Sequence, residues 1–206
     1  MSLRIVIATG NAGKEREIRD ILSGIDVELL GRKDFPPFPD PSEDGDTFLE
    51  NAMSKAKAVH AATGLPALAD DSGLEVEALG GDPGIKSARY GGEGLSDGQR
   101  CRKLLQALDG VPREKRGARF KCMMVLYPAP GSENGALVTE GELYGRIETE
   151  PSGENGFGYD PVFYVPEEGM TVARMEAGEK NRISHRYRAL VEMKWLLIDR
   201  CGLERV

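Results

Sequence analysis

From Leu3 to Ala8 the chain is apolar almost without interruption and rich in isoleucine and valine, the pattern of a strand buried on both faces. The period then changes. Ile18, Ile21, Leu22 and Ile25 recur at helical spacing, with Glu15, Arg16, Glu17, Arg19 and Asp20 on the opposite face, so an amphipathic helix is expected directly after the strand. Residues 33–46 carry four prolines among acidic residues, and an irregular acidic loop is expected there. Thr47 and Glu50 form the reciprocal pair of a capping box and open a second helix, expected to end near Thr63 at Gly64 and Pro66. Asn51 and Lys55 are four residues apart and share one face of it. Pro66 to Ala69 reads as a short buried strand ending in Asp70-Asp71. After Ser72-Gly73 a second strand-like run extends from Leu74 to Leu79.

A glycine-rich loop, GGDPGIKSARYGGEG, precedes Ser96, which is placed to cap a third helix with Cys101, Leu104, Leu105 and Leu108 on its core face and Gly110 at its end. Phe120, Cys122, Met124 and Leu126 alternate as in a strand, Ala136 to Ile147 suggests one or two strands around Gly141, and Val162 to Val165 suggests another. Ser184 is expected to cap a last helix reaching Arg200, with Leu190, Val191, Leu197 and Ile198 inward. Strands alternate with helices early and cluster later, which predicts an α/β protein with a mixed sheet. At 206 residues, with no repeat or linker, a single domain over residues 1–206 is expected.

Composition narrows the possible partners. Apolar residues make up 40 % and charged residues 30 %, ordinary values for a soluble globular chain. The net charge of −7 gives no global electrostatic footprint for nucleic acid, so any polyanion ligand is expected to be small and held by a local pocket. No apolar run approaches the roughly 20 residues that cross a bilayer, and the N-terminus lacks a signal-peptide layout. No membrane association is expected, and the cytoplasm is the expected location. Cys101, Cys122 and Cys201 are widely spaced, odd in number and without a CxxC pair, which argues against a disulfide framework or structural zinc.

Three stretches carry candidate chemistry. ATGNAGKE, from Ala8 to Glu15, falls between the first strand and the first helix and nearly spells a P-loop. It lacks the hydroxyl after the lysine that would ligate Mg²⁺. Backbone N–H groups at a helix start favour a phosphate, and Thr9 and Asn11 add side-chain donors; the plain alternative is a tight turn with Lys14 in solvent. In LADDSG, adjacent aspartates at a strand end offer hard oxygen ligands for Mg²⁺, or one of them caps the following turn. Glu43, with Ser42 and Asp44 beside it, is a further candidate ligand or a solvated loop residue. EKNRISHR places Ser184, His185 and Arg186 at a helix start, where the dipole keeps imidazole neutral. In GFGYDP, Phe157 or Tyr159 is a candidate platform for stacking on a base.

These stretches occur in one order: TGNAGK, EDGDTFLENAMSKA, LADDSGLEVEALGGDPGIKSARY, RFKC, GFGYDPVF and EKNRISHR. In that set the chain resembles the inosine/xanthosine triphosphate pyrophosphatase family, the house-cleaning hydrolases of non-standard purine nucleotides. The resemblance runs from near Thr9 to Arg186. It implies an elongated mixed β-sheet flanked by helices in two lobes around a nucleotide cleft, a homodimer, and Mg²⁺-dependent hydrolysis of ITP, dITP and XTP to the monophosphate and pyrophosphate. Carried over by motif, Thr9, Gly10, Asn11, Ala12, Gly13 and Lys14 hold the triphosphate, Asp71 is general base and metal ligand, and Glu43 joins the metal. Ser72 contacts substrate, Lys55 faces the phosphates, and Phe157, Gly158, Tyr159, Asp160, Lys180, His185 and Arg186 bind the base. Tyr187 is bulkier than the small residue expected after this motif.

The implied chemistry is physically coherent. An oxo group at C6 accepts hydrogen bonds where adenine's amino group donates, so a pocket lined by donors rewards hypoxanthine and xanthine. Guanine shares that oxygen, and its rejection must depend on the 2-amino group. Competing readings are a pyrophosphatase of modified pyrimidine or standard triphosphates, and a nucleotide sensor in which Asp70-Asp71 is purely structural.

Overall fold

The computed structural model describes residues 3–39, 41, 43–130, 132 and 135–203. Seven strands form one sheet: β1 (Leu3–Ile7), β2 (Val27–Leu30), β3 (Ala67–Val76), β4 (Gly117–Tyr127), β5 (Leu137–Ile147), β6 (Phe163–Val165) and β7 (Met170–Thr171), in the order β2-β1-β3-β4-β5-β6-β7. β1 runs parallel to β2 and β3, whereas β6 is antiparallel to β5 and β7, so the sheet is mixed as expected. The helices are α1 (Ala12–Leu22), α2 (Phe48–Thr63), α3 (Asp97–Ala107), α4 (Ala177–Ile183) and α5 (His185–Cys201).

The chain divides into two compact units, the first made of residues 1–71, 122–141 and 186–206, the second of residues 72–121 and 142–185. In the first unit, Ile18 and Leu22 of α1 and Ala189, Leu190, Met193 and Leu197 of α5 pack with Ile5, Ile7, Leu68, Met124 and Leu126 of the strands. In the second, Cys101, Leu104 and Leu108 pack with Leu74, Val76, Phe120, Leu143 and Phe163. Capping chemistry sets the helix starts as the sequence predicts: Thr47 Oγ1 accepts from Glu50 N at 3.1 Å while Glu50 reaches back, and Gly64 closes α2 in the left-handed conformation. Ser96 and Gln99 make the same box at α3.

Several expectations are corrected. The two short strands around Ser72-Gly73 are one, β3, because Gly73 stays out of the positive-φ region and the backbone remains extended through both aspartates. Of the one or two strands expected from Ala136 to Ile147, one forms, β5, which that expectation allowed. The strands β2 and β7 and the helix α4 escape the periodicity, being too short to show a period. Ser184 closes α4 immediately before α5, whose buried face carries Met193 where Val191 was expected.

Candidate active site

Asn11 caps α1: its Oδ1 accepts from Gly13 N at 2.8 Å and Lys14 N at 3.1 Å, while Thr9 Oγ1 accepts from Asn11 N at 3.1 Å. Both side chains thus help to shape the loop through their oxygens. The N–H groups of Gly10 and Ala12 find no acceptor among the described residues. Lys14 is not loose in solvent, because its Nζ lies 2.8 Å from Asp70 Oδ2.

The continuity of β3 decides what the paired aspartates do. Successive strand side chains point to opposite faces, and Asp70 and Asp71 accordingly have different partners. Asp70 Oδ2 accepts from Arg186 Nε and Nη2, each at 3.2 Å, and Arg186 Nη1 also bonds Glu17 of α1. Arg186 is 1 % exposed, so this is a buried network. Burial alone would raise the Asp70 carboxyl, but Lys14, Arg186 and Lys55 outweigh it and hold Asp70 below the usual carboxylate range. Neither aspartate caps a turn.

Asp71 faces α2. Lys55 Nζ stands 2.7 Å from Asp71 Oδ1, 2.7 Å from Glu43 Oε1 and 3.1 Å from the Asp70 carbonyl oxygen, while Asn51 Nδ2 donates to Asp71 Oδ2 at 3.2 Å. The Lys55 ammonium stays charged: burial disfavours it, yet the neighbouring carboxylates raise it above the ordinary lysine range. One ammonium shared among several acids compensates each incompletely, and burial pushes Asp71 above the ordinary aspartate value. Around α1, α2 and β3, Glu17, Glu43, Asp70 and Asp71 meet Lys14, Lys55 and Arg186. Among the described residues these four carboxylates meet three cations.

That surplus and the Lys55 ammonium bear on metal binding. No group of three or more His, Cys, Asp or Glu among the described residues can hold a metal on its own. Mg²⁺ needs no such cage, since one or two carboxylates, water and substrate phosphates complete its shell. Glu43 and Asp71 fit that requirement, because a cation, here the Lys55 ammonium, already bridges their oxygens. Asp44 follows Glu43 in sequence, and Ser42 lies outside the described residues.

In the second unit the loop at Gly156 to Asp160 is tightly tied. Asp160 Oδ2 accepts from Phe157 N at 2.9 Å and from Lys180 Nζ at 2.8 Å, and Lys180 Nζ lies 4.1 Å from the centre of the Phe157 ring. Gly156 has φ +77°, and a Cβ there would lie 2.1 Å from Asp160 Oδ2, so only glycine fits the turn. Gly158 is fixed from α3, its N–H bonding Asp97 Oδ2 at 2.7 Å and its carbonyl lying 3.3 Å from Cys101 Sγ. Tyr159 is buried, with its hydroxyl on the Ser87 carbonyl, leaving Phe157 as the half-buried aromatic face. His185 stacks on Phe120 with centroids 4.9 Å apart, and Ser72 is half-buried on β3.

The structure thus brings Thr9 to Lys14, Glu43, Lys55, Asp71 and Arg186 into one unit, and Ser72, Phe157 to Asp160, Lys180 and His185 into the other. Sequence reasoning missed Glu17, Asn51 and Asp97 as partners of these groups. Glu17 stands three residues after Lys14 and shares its helix face, a signal that was present. Nothing in the sequence announces the reach of Asp97 to Gly158.

A helix start offering backbone N–H groups and a lysine, beside a strand bearing buried carboxylates, defines a phosphate-handling α/β protein. The model of the Ham1 family matches residues 5–195, and the chain belongs to that family. It is 51 % identical over 191 residues, 93 % of this chain and 94 % of the relative, to the dITP/XTP pyrophosphatase of Geobacter sulfurreducens. It is 50 % identical over 189 residues to that of Geobacillus kaustophilus, covering 92 % of this chain and 91 % of the relative. The solved HAM1 protein of Coxiella burnetii superposes with a TM-score of 0.86 at 42 % identity, over 96 % of this chain and 99 % of that one.

Proposed function

We propose that this protein hydrolyses non-standard purine nucleoside triphosphates, ITP, dITP and XTP, to the monophosphate and pyrophosphate, and so clears them from the nucleotide pool. The relatives named dITP/XTP pyrophosphatase over nearly the whole chain support the substrate class. The structural observation that carries the chemistry is that Glu43 and Asp71 share one ammonium in the same unit as the open amides of the Thr9–Lys14 loop.

In this reading the amides of Gly10 and Ala12, the amide of Asn11 and Lys14 hold the triphosphate. Asp71, with its proton affinity raised by burial, orients the attacking water and accepts its proton. Lys55 stays charged beside it and stabilises negative charge on the phosphates. Mg²⁺, held by Glu43 and Asp71, would acidify water and offset the charge of the triphosphate. Ser72 contacts the substrate. The base is read by Phe157 as a stacking face, by the loop from Gly158 to Asp160, and by the donors of Lys180 and His185. Arg186 is committed to Glu17 and Asp70, so we assign it to neutralising Asp70 rather than to the base. A homodimer and a cytoplasmic location belong to the same reading; among the described residues, no helix is long and apolar enough to cross a membrane.

The test is a panel of ITP, XTP, dITP, GTP, ATP and pyrimidine triphosphates with Mg²⁺, scored for pyrophosphate against orthophosphate. Pyrophosphate from ITP and XTP far faster than from ATP is expected. Equal release from all purines removes the donor-pocket argument, and binding of ITP without release favours a sensor. In ¹⁸O-labelled water the label should enter the monophosphate, and label found only in pyrophosphate contradicts attack at the α-phosphorus.

A further inference from the structure

We infer that Asn51 is a positioning residue for the reaction: it locks the Asp71 carboxylate and ties the segment bearing Glu43 to it. The inference rests on the pyrophosphatase reading and adds a residue that reading does not use. Asn51 is 1 % exposed on α2. Its Oδ1 accepts from Gly45 N at 2.8 Å, and its Nδ2 donates to Asp71 Oδ2 at 3.2 Å. A backbone N–H can only donate, so the amide orientation is fixed, and the group presented to Asp71 must be the NH₂.

The consequence is a closed circuit. Glu43 Oε1 and Asp71 Oδ1 meet on Lys55 Nζ, and Asp71 Oδ2 returns through Asn51 to Gly45, two residues from Glu43. Lys55 alone would leave the Asp71 carboxylate free to swing about its own axis. With one oxygen on Lys55 and the other on Asn51, its plane is set. The amide is neutral, so it orients Asp71 without adding a further charge to the site. Gly45 is tailored to the contact. A Cβ there would lie 2.8 Å from Asn51 Oδ1 and 2.8 Å from Glu50 Cβ.

Three variants separate the parts. Asn51→Asp keeps an oxygen for Gly45 but cannot donate to Asp71; Asn51→Ala removes both bonds; Gly45→Ala pushes the amide away from a half-buried loop position. For each, kcat and KM with ITP and Mg²⁺ are measured beside the melting temperature, and exchange of the Gly45 amide proton is followed by NMR. A misplaced base costs turnover, so kcat is expected to fall ~10- to 100-fold in all three, with KM within about threefold. The Gly45 amide should exchange faster in Asn51→Ala and remain protected in Asn51→Asp. Should Asn51→Ala not fold, Gly45→Ala and Asn51→Asp carry the test. Wild-type kcat in Asn51→Asp, or equal Gly45 exchange in wild type and a folded Asn51→Ala, overturns the inference. Absence of pyrophosphate release by the wild type itself instead overturns the reading of function, while Gly45 exchange still tests the clamp.

Discussion

Lys14 Nζ stands 2.8 Å from Asp70 Oδ2, so the lysine at the head of α1 already has an anion before any phosphate arrives. A lysine in a first helical turn opposes the helix dipole. An internal carboxylate offsets that cost, and it holds the lysine at a fixed place beside the loop amides. Substrate phosphate must then share Lys14 with Asp70, which makes the lysine a steering charge rather than a permanent counter-ion. Lys14→Gln is expected to raise KM for ITP ~10-fold or more with a smaller change in kcat. Steady-state kinetics decide; an unchanged KM removes Lys14 from phosphate binding.

Asp70 itself is expected to matter chiefly for stability. Its folded-state carboxyl is held below the usual range, whereas in the unfolded chain it titrates near ~3.9. A depressed acid contributes stability that is present above the unfolded value and is lost as pH falls through the folded one. Asp70→Asn leaves Arg186 and Lys14 short of a buried partner, a loss of about 3–5 kcal/mol. In urea titrations the gap between wild type and variant should be full at pH 7 and narrow as pH drops below ~4. A gap independent of pH would show that packing, not charge, is responsible.

Much of this site was legible in the sequence because local chemistry wrote it there. The Thr47 and Glu50 pair, the change of period after Ala8 and the spacing of Asn51 and Lys55 each depend on neighbours within one helical turn. The aspartate pair was misread at one point: Ser72-Gly73 has the composition of a turn, but β3 continues through it. A strand's length is decided by pairing with distant strands, which composition does not record. The same holds for Asp97 and Gly158, joined across 61 positions of chain, and for Arg186 and Glu17, joined across 169. Arg186, expected at the base, has partners remote in sequence, so its tie to Asp70 and Glu17 could not be read from the motif.

Asp71→Asn keeps the shape and one acceptor oxygen while removing the negative charge and most of the proton affinity. Loss of a general base costs about 10²–10⁴ in rate. Turnover of ITP should fall by that order, with ITP binding retained in equilibrium titration. Because burial raises Asp71 above the ordinary aspartate value, its proton is taken up at higher pH than for an exposed aspartate. In the metal-free protein the titration of Asp71, followed by NMR, should therefore have its midpoint above that of an exposed aspartate. Full turnover in Asp71→Asn would end the base assignment.

Cys101 is almost fully buried, and burial together with Asp97 and Asp160 pushes its thiol up to about 11. The thiolate is the reactive form, so at pH 8 alkylation of Cys101 in the folded protein should be far slower than that of an exposed cysteine. Cys122 is also buried, whereas Cys201 is half-exposed. Peptide mapping after iodoacetamide treatment should therefore find Cys201 modified first. Early modification of Cys101 would mean that α3 opens and releases Gly158.

Lys180 is the side chain on which base selection can be tested most directly. Its Nζ bonds Asp160 Oδ2 at 2.8 Å and lies 4.1 Å from the centre of the Phe157 ring, which places an ammonium donor beside an aromatic face. Lys180→Met retains an unbranched apolar side chain and deletes the side-chain donors. A donor that meets an oxo base and is mismatched by an amino group is worth roughly 1–3 kcal/mol, or about 10- to 100-fold in selectivity. The ratio of kcat/KM for ITP to that for ATP should fall by this factor, mainly through a loss with ITP. The same loss also frees Asp160, whose Oδ2 still accepts from Phe157 N. Asp160→Asn serves as the control, since it weakens the anchor yet leaves the Lys180 side chain in place. If Lys180→Met and Asp160→Asn lower ITP and ATP turnover equally, the loop at Phe157 to Asp160 supports the fold of the second unit and selection of the base resides elsewhere.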